Sequence, residues 1–197
     1  MAIKAVIFDI DGVLADSRDA VVHNTKELMR EFGFVVEGAD VERMSSAHSA
    51  ESVLVALAPS LSQEPELLRK MLRRLSGITA ANLHLVKPTL LAAAVPGLAK
   101  KYVLAAASNR KASAAMVLGK LGIARHFSAV LTSADAPPKP DPKMILMALE
   151  RLGVGAGDAV FVGDNKEDRQ AGKGAGVRFV LLDGRSAAAC KKFLAGL

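Results

Sequence analysis

Five short apolar runs rich in β-branched residues, at positions 3–8, 102–107, 128–131, 159–162 and 178–182, constrain this chain more than any other feature. Each is strand-length, and Gly, Ser or Asp marks where the runs end, which reads as buried strands of a mostly parallel sheet. Helical patterns at 111–121 and 142–152, and a weaker one at 166–174, lie between the later runs. Strand, helix and strand in repetition predict an α/β class, a mostly parallel Rossmann-like sheet flanked by helices.

The interval 17–95 breaks this alternation. It is too long for a plain loop and carries helical periodicity without a convincing strand. Candidate helices run over 18–32, 39–46, 50–58, 65–75 and 79–85, with Gly33, Pro59, Gly77 and Pro88 as stops and turns. The expected organisation is therefore a core of residues 1–16 and 96–197 with an all-helical insert of residues 17–95. With 51% hydrophobic residues but only 4% aromatic and no Trp, the core must be built from aliphatic side chains.

The net charge of +6 draws anions toward the surface. Seven Phe and one Tyr form no aromatic stripe among the basic residues, so no nucleic-acid partner is expected. A single cysteine, Cys190, excludes an intramolecular disulfide and points to a reducing, cytoplasmic setting. The apolar run 2–10 is too short for a signal peptide and is interrupted by Asp9, and no segment is apolar for long enough to predict a membrane span. The sequence carries no signal of oligomeric state.

In open parallel sheets, ligands bind outside the carboxyl ends of the strands, where connections diverge to opposite faces. The residues there are Asp9, Asp11 and Gly12 after the first run, Ser108, Asn109 and Arg110 after the second, and Asp164 with Asp168 after the fourth; Lys139 follows the third. Carboxylates at close quarters repel one another unless a cation sits among them, and a hard oxygen-seeking ion such as magnesium suits such a cluster. The Ser108 hydroxyl, backbone N–H groups at Asn109 and Gly12, and the Lys139 ammonium suit a phosphate. Metal, lysine and amide donors together supply the positioning and charge neutralisation that phosphoryl transfer needs, and a carboxylate can serve as its nucleophile.

Taken singly, each of these strings is an ordinary turn, cap or loop; their joint order and strand-end placement carry the argument. The chain resembles the haloacid dehalogenase superfamily, through Asp9-Ile10-Asp11-Gly12, Ser108-Asn109, Lys139-Pro140-Asp141-Pro142 and Gly163-Asp164-Asn165-Lys166-Glu167-Asp168. The resemblance implies that Asp9 is the nucleophile, Asp11 the general acid and base, Ser108 and Asn109 the phosphate holders, and Lys139 the charge stabiliser. It further implies magnesium at Asp9, Asp164 and the Asp11 backbone carbonyl, with Asp168 supporting the metal or its waters, and makes the helical insert the family's small cap. Asp11 favours phosphate-ester chemistry over dehalogenation, since the dehalogenase branch usually lacks a carboxylate there. The size of the insert resembles that of the phosphoglycolate phosphatase-like branch, which implies a small phosphorylated metabolite as partner. Val13 after the glycine, as in some sugar phosphomutases, keeps a mutase as the alternative, beside a non-catalytic binding protein of the same fold.

Some residues have two readings. The polar break at Ser45, Ser46, His48 and Ser49 reads either as helix capping or as a substrate-reading loop with His48 in contact. Arg110 reads as the solvent-facing start of the next helix in preference to a substrate contact. The glycines around Lys173 lack any phosphate-loop spacing and read as tight helix packing.

Overall fold

The computed structural model of the chain describes residues 2–45 and 49–197. Its strands are β1 (Ala5–Phe8), β2 (Ala15–Asp16), β3 (Lys87–Pro88), β4 (Val103–Ser108), β5 (Ala129–Thr132), β6 (Ala159–Gly163) and β7 (Arg178–Leu181). Five of them form one sheet in the order β5-β4-β1-β6-β7, with every neighbouring pair parallel. The five apolar runs are these five strands, so the α/β, Rossmann-like reading stands. All of β1 is buried, as a strand covered on both faces must be. From β1 the chain builds outward to β4 and β5 on one side and returns to β6 and β7 on the other. Connections therefore diverge at the carboxyl ends of β1, β4 and β6, which is where a crevice forms in such a sheet.

The chain divides into two compact units, one of Met1–Asp16 with Lys87–Leu197 and the other of Ser17–Val86. The division falls at Val86, whereas the sequence pattern places it at residue 95. The physical reason is local: Lys87 and Pro88 pair antiparallel with Asp16 and Ala15, so the returning chain joins the sheet-bearing unit at once. Two-residue strands carry no periodicity, which is why β2 and β3 are invisible in the sequence.

The second unit is built from α1 (Arg18–Glu31), α2 (Gly38–Ser45), α3 (Ala50–Leu57) and α4 (Pro65–Ala81). Its core gathers Leu28 and Met29 of α1, Leu54 of α3, and Leu68, Met71 and Ile78 of α4 around Leu61. Each fully buried aliphatic side chain contributes about 1.5–3 kcal/mol. The helices expected at 65–75 and 79–85 are instead one helix to Ala81, followed by a single 3-10 turn at Leu83–Leu85. Gly77 does not stop α4. An interior glycine costs about 1 kcal/mol against alanine, which the burial of Ile78 beyond it outweighs.

In the sheet-bearing unit, α5 (Val95–Leu98), α6 (Ser113–Lys120), α7 (Lys143–Leu152), α8 (Lys166–Gly174) and α9 (Ala187–Ala195) flank the sheet. Met144, Ile145 and Ala148 of α7 pack with Ala105 and Ala107 of β4 and Leu131 of β5. The small residues of β4 keep that layer thin. On α8, a Cβ added at Gly172 would come within 3.2 Å of the Phe161 ring, and one at Gly174 within 3.0 Å of Pro142. The glycine run around Lys173 is thus a packing device.

Candidate active site

The turn after β1 carries the first two carboxylates. Gly12 has φ of 75°, the left-handed region that glycine adopts without steric penalty, and its N–H donates to Ala15 O at 2.8 Å. A Cβ at Gly12 would lie 1.8 Å from Asp164 Oδ2, so only glycine lets this backbone close on the Asp164 carboxylate. Two further contacts pin the turn: Thr89 Oγ1 donates to Val13 O at 2.6 Å, and Gly184 N–H donates to Gly12 O at 2.9 Å.

Lys139 reaches the site because Asn109 holds its loop. Asn109 Nδ2 donates to Lys139 O at 3.0 Å, and Lys139 N–H donates to Asn109 Oδ1 at 2.7 Å. This reciprocal clamp engages the Asn109 side chain. The Lys139 ammonium is buried against the Phe161 ring and donates to Asp9 Oδ1 at 2.7 Å and Ala107 O at 3.0 Å. It also lies 2.6 Å from Asp168 Oδ1, an ion pair outside hydrogen-bond alignment that leaves this buried oxygen without an aligned donor. The ammonium thus donates to two acceptors within the protein and is ion-paired with a third group, Asp168. What Lys139 supplies is a fixed positive charge beside Asp9.

Asp168 is fully buried. Its Oδ2 accepts the Asp164 N–H at 3.1 Å, while its own N–H donates to Asn165 Oδ1, the cap of α8, at 2.9 Å. Gly163 permits this approach, since a Cβ there would lie 2.4 Å from Asp168 Cβ. Asp9, Asp164 and Asp168 each offer an oxygen within 4.8 Å of the other two. Burial, reinforced by Asp168 and Asp11, pushes Asp9 well above the usual carboxylate range against the pull of Lys139. Burial likewise raises Asp164 to about 6, with Asp168 and Asp11 adding to it. Lys139 is held protonated, the charges of Asp9 and Asp168 overcoming its burial.

The carboxylates of Asp9, Asp11, Asp164 and Asp168 outnumber the cations paired with them, Lys139 and Arg110. The surplus negative charge, the hard oxygen donors and the unaligned Asp168 Oδ1 together fit a divalent cation such as magnesium. Ser108 is buried at the end of β4, and its Oγ accepts the Arg110 N–H at 3.2 Å.

One expectation changes here. Arg110 does not face solvent at the start of α6; it turns inward and pairs with Asp11, its Nε 2.7 Å from Oδ2 and its Nη2 2.7 Å from Oδ1. The Asp11 carboxylate accordingly lies on Arg110, apart from the three-carboxylate cluster. In the polar break, the Ser49 side chain accepts the Ser52 N–H at 3.2 Å and caps α3; Ser46 and His48 lie outside the described residues.

With this geometry established, comparison with known proteins defines the class. A family profile described as haloacid dehalogenase-like hydrolase matches residues 6–182. The chain belongs to that family. It is 32% identical over 189 residues to a phosphoglycolate phosphatase of Vibrio cholerae, covering 89% of this chain and 82% of the relative. It is 31% identical over 180 residues to a protein of Dickeya dadantii described as probable phosphatase IndB, covering 87% and 77%. Among solved structures, a putative phosphoglycolate phosphatase from Lactobacillus plantarum shares the fold with a TM-score of 0.82 at 21% identity, covering 98% of this chain and 92% of that one. No helix among the described residues is long and apolar enough to cross a membrane.

Proposed function

We propose that this protein is a magnesium-dependent phosphatase that hydrolyses small phosphate monoesters through a phospho-aspartate on Asp9, with phosphoglycolate among the candidate substrates. One observation carries the reading: Asp9, at the end of the central strand, pairs with the Lys139 ammonium and offers an oxygen within 4.8 Å of those of Asp164 and Asp168, in a cluster short of positive charge. The phosphatase names of the full-length relatives support it. In this reading the helical unit is the family's small cap, and the partner is a small phosphorylated metabolite met in the cytoplasm.

The chemistry follows from the residues. An Asp9 oxygen attacks phosphorus as the bond to the leaving oxygen breaks, and Asp11 gives that oxygen its proton. Ser108 Oγ–H and the N–H groups of Asn109 and Gly12 would donate to the phosphate oxygens. Lys139 keeps Asp9 oriented and offsets charge beside it. Asp11, now ionised, takes a proton from a water whose oxygen attacks the phosphoryl group, releasing inorganic phosphate and restoring the Asp9 carboxylate. Asp9, Asp164 and the Asp11 backbone carbonyl would hold magnesium, with Asp168 behind them; bound there, the ion supplies charge neutralisation at the phosphoryl oxygens.

The test is a panel of phosphate esters with phosphate detection, in magnesium and in excess chelator. Release of inorganic phosphate in magnesium alone is expected. Turnover unchanged in chelator removes the metal assignment, and phosphate retained on carbon with a need for a bisphosphate activator replaces the hydrolase with a mutase.

A further inference from the structure

Arg110 stands two residues beyond Ser108 and before the first turn of α6, and its place in the structure is fixed at both ends. Its N–H donates to Ser108 Oγ at 3.2 Å, and its carbonyl accepts the Ser133 N–H at 3.0 Å. Its side chain is only 12% exposed. Nη1 donates to Ser113 Oγ at 3.3 Å, while Nε and Nη2 each reach a different oxygen of Asp11 at 2.7 Å. Burial alone would lower the Arg110 pKa, and the Asp11 charge more than reverses this.

A guanidinium presents parallel N–H bonds in one plane, matching the two oxygens of a carboxylate. Held bidentately by a group that is itself anchored, the Asp11 carboxylate loses the freedom to rotate about its terminal torsion. The Asp11 side chain is 38% exposed even in this pair. We infer that Arg110 is the positioning residue for Asp11, setting the plane from which Asp11 passes protons to and from the reacting oxygens. Resting on the acid-base reading of Asp11, the inference deepens it by naming the side chain that makes a half-exposed carboxylate precise enough for proton transfer.

A positioning role differs from phosphate binding in its dependence on the leaving group. A p-nitrophenolate departs without help, whereas an alkoxide must be protonated as it leaves. Misplacing a reacting group by about 1 Å can cost about 10²-fold. In Arg110→Ala, kcat/KM for an alkyl phosphate such as phosphoglycolate should therefore fall by about tenfold or more, while kcat/KM for p-nitrophenyl phosphate falls by much less. Arg110→Lys keeps the charge without the fork and should show the same selectivity, and methylguanidinium in solution should partly restore Arg110→Ala on the alkyl ester alone. Should Arg110→Ala fail to fold, the lysine variant carries the test. Equal losses on both esters, or a rise in KM common to both, would mean that Arg110 binds phosphate or merely supports the loop, and would overturn the inference; unchanged kinetics would do the same. Asp11→Asn run in parallel separates the two readings. If Asp11→Asn shows the leaving-group selectivity and the Arg110 variants do not, only the role of Arg110 falls; if Asp11→Asn lacks it, the acid-base reading falls and takes this inference with it.

Discussion

In the sheet-bearing unit, ionised side chains are buried beside the neutral Thr89 and Ser108: Asp9, Lys139 and Asp168 all lie inside, and each faces another. In the helical unit, the buried polar groups among the described residues are neutral. Asn24, for example, accepts Asn82 Nδ2–H at 2.9 Å, while ion pairs such as Arg74 with Glu31 and Arg69 with Glu66 stay at the exposed surface. Ionised groups are expensive to remove from water unless paired, and even pairing often fails to repay the desolvation. A fold gains little stability from the Asp9, Lys139 and Asp168 cluster, whereas a site that must handle a phosphoryl group needs it. The contrast lies in the ionised groups: the sheet-bearing unit buries three of them, whereas the helical unit buries none among its described residues.

Substitutions in the charged cluster are the largest test of that contrast. Asp9→Asn should abolish turnover on every ester, since an amide has no anionic oxygen to attack phosphorus. Asp11→Asn should slow alkyl phosphates by about 10² to 10⁴-fold, and intact-mass measurement after rapid mixing with acetyl phosphate should show a phosphoryl adduct in that variant and none in Asp9→Asn. Asp11→Asn turning over alkyl esters at the wild-type rate would assign the proton transfer elsewhere.

Magnesium should next stabilise the protein, by about 2.7 kcal/mol at a hundredfold excess over Kd, with a pH dependence to which Asp164 and the raised Asp9 both contribute. Because burial raises the folded pKa of Asp164 to about 6, the metal-free fold favours the protonated form. The contribution of this group to metal-free stability is fully present below the ordinary carboxylate pKa and is lost as pH rises through about 6. A bound cation requires the ionised form, so the magnesium-induced rise in Tm should be full at pH 7 and shrink at pH 5. An equal rise at both values would show that Asp164 does not meet the ion.

Gly12 and Gly153 sharpen the comparison on a smaller scale. Both have positive φ, 75° and 66°, but only at Gly12 would a Cβ meet a carboxylate, since nothing lies within 4 Å of one at Gly153. Alanine at either position should cost about 1–2 kcal/mol of backbone strain. Gly12→Ala should additionally lose the magnesium-induced rise in Tm, which Gly153→Ala keeps. Thermal melts with and without magnesium check both.

The smallest effect belongs to the helical unit. Glu31→Ala breaks an exposed pair with Arg74 at 2.9 Å, and surface pairs of this kind contribute little. No resolvable change in Tm or kcat is expected; a large loss of activity would show that the charge of this unit takes part in catalysis.

Much of the molecule was legible in its residues. The β1, β4 and β6 ends were readable because a strand is a local pattern, and the chemistry of a parallel sheet collects where strands stop. Asp9, Ser108 and Asp164 stand at those ends, whereas Lys139 lies beyond β5 in a loop that the Asn109 clamp brings back. The continuity of α4 through Gly77 was not readable, because helix propensity weighs a glycine locally while the burial of Ile78 in the core of the helical unit is a tertiary gain. The division at Val86 escaped for a similar reason, since it depends on a two-residue pairing with Ala15 and Asp16.

The sequence by itself determined the order of the five sheet strands and the residue types at their ends, since periodicity and turn chemistry act over neighbouring residues. Only the tertiary structure decided what those residues do to one another. Arg110 and Asp11 are 99 positions apart, and they meet because β4 lies beside β1 in the sheet. The Lys139 ammonium donates to Asp9 and Ala107 and pairs with Asp168 only because β1, β4 and α8 converge on it. Electrostatic roles depend on distance and burial, and a chain acquires both when the sheet closes.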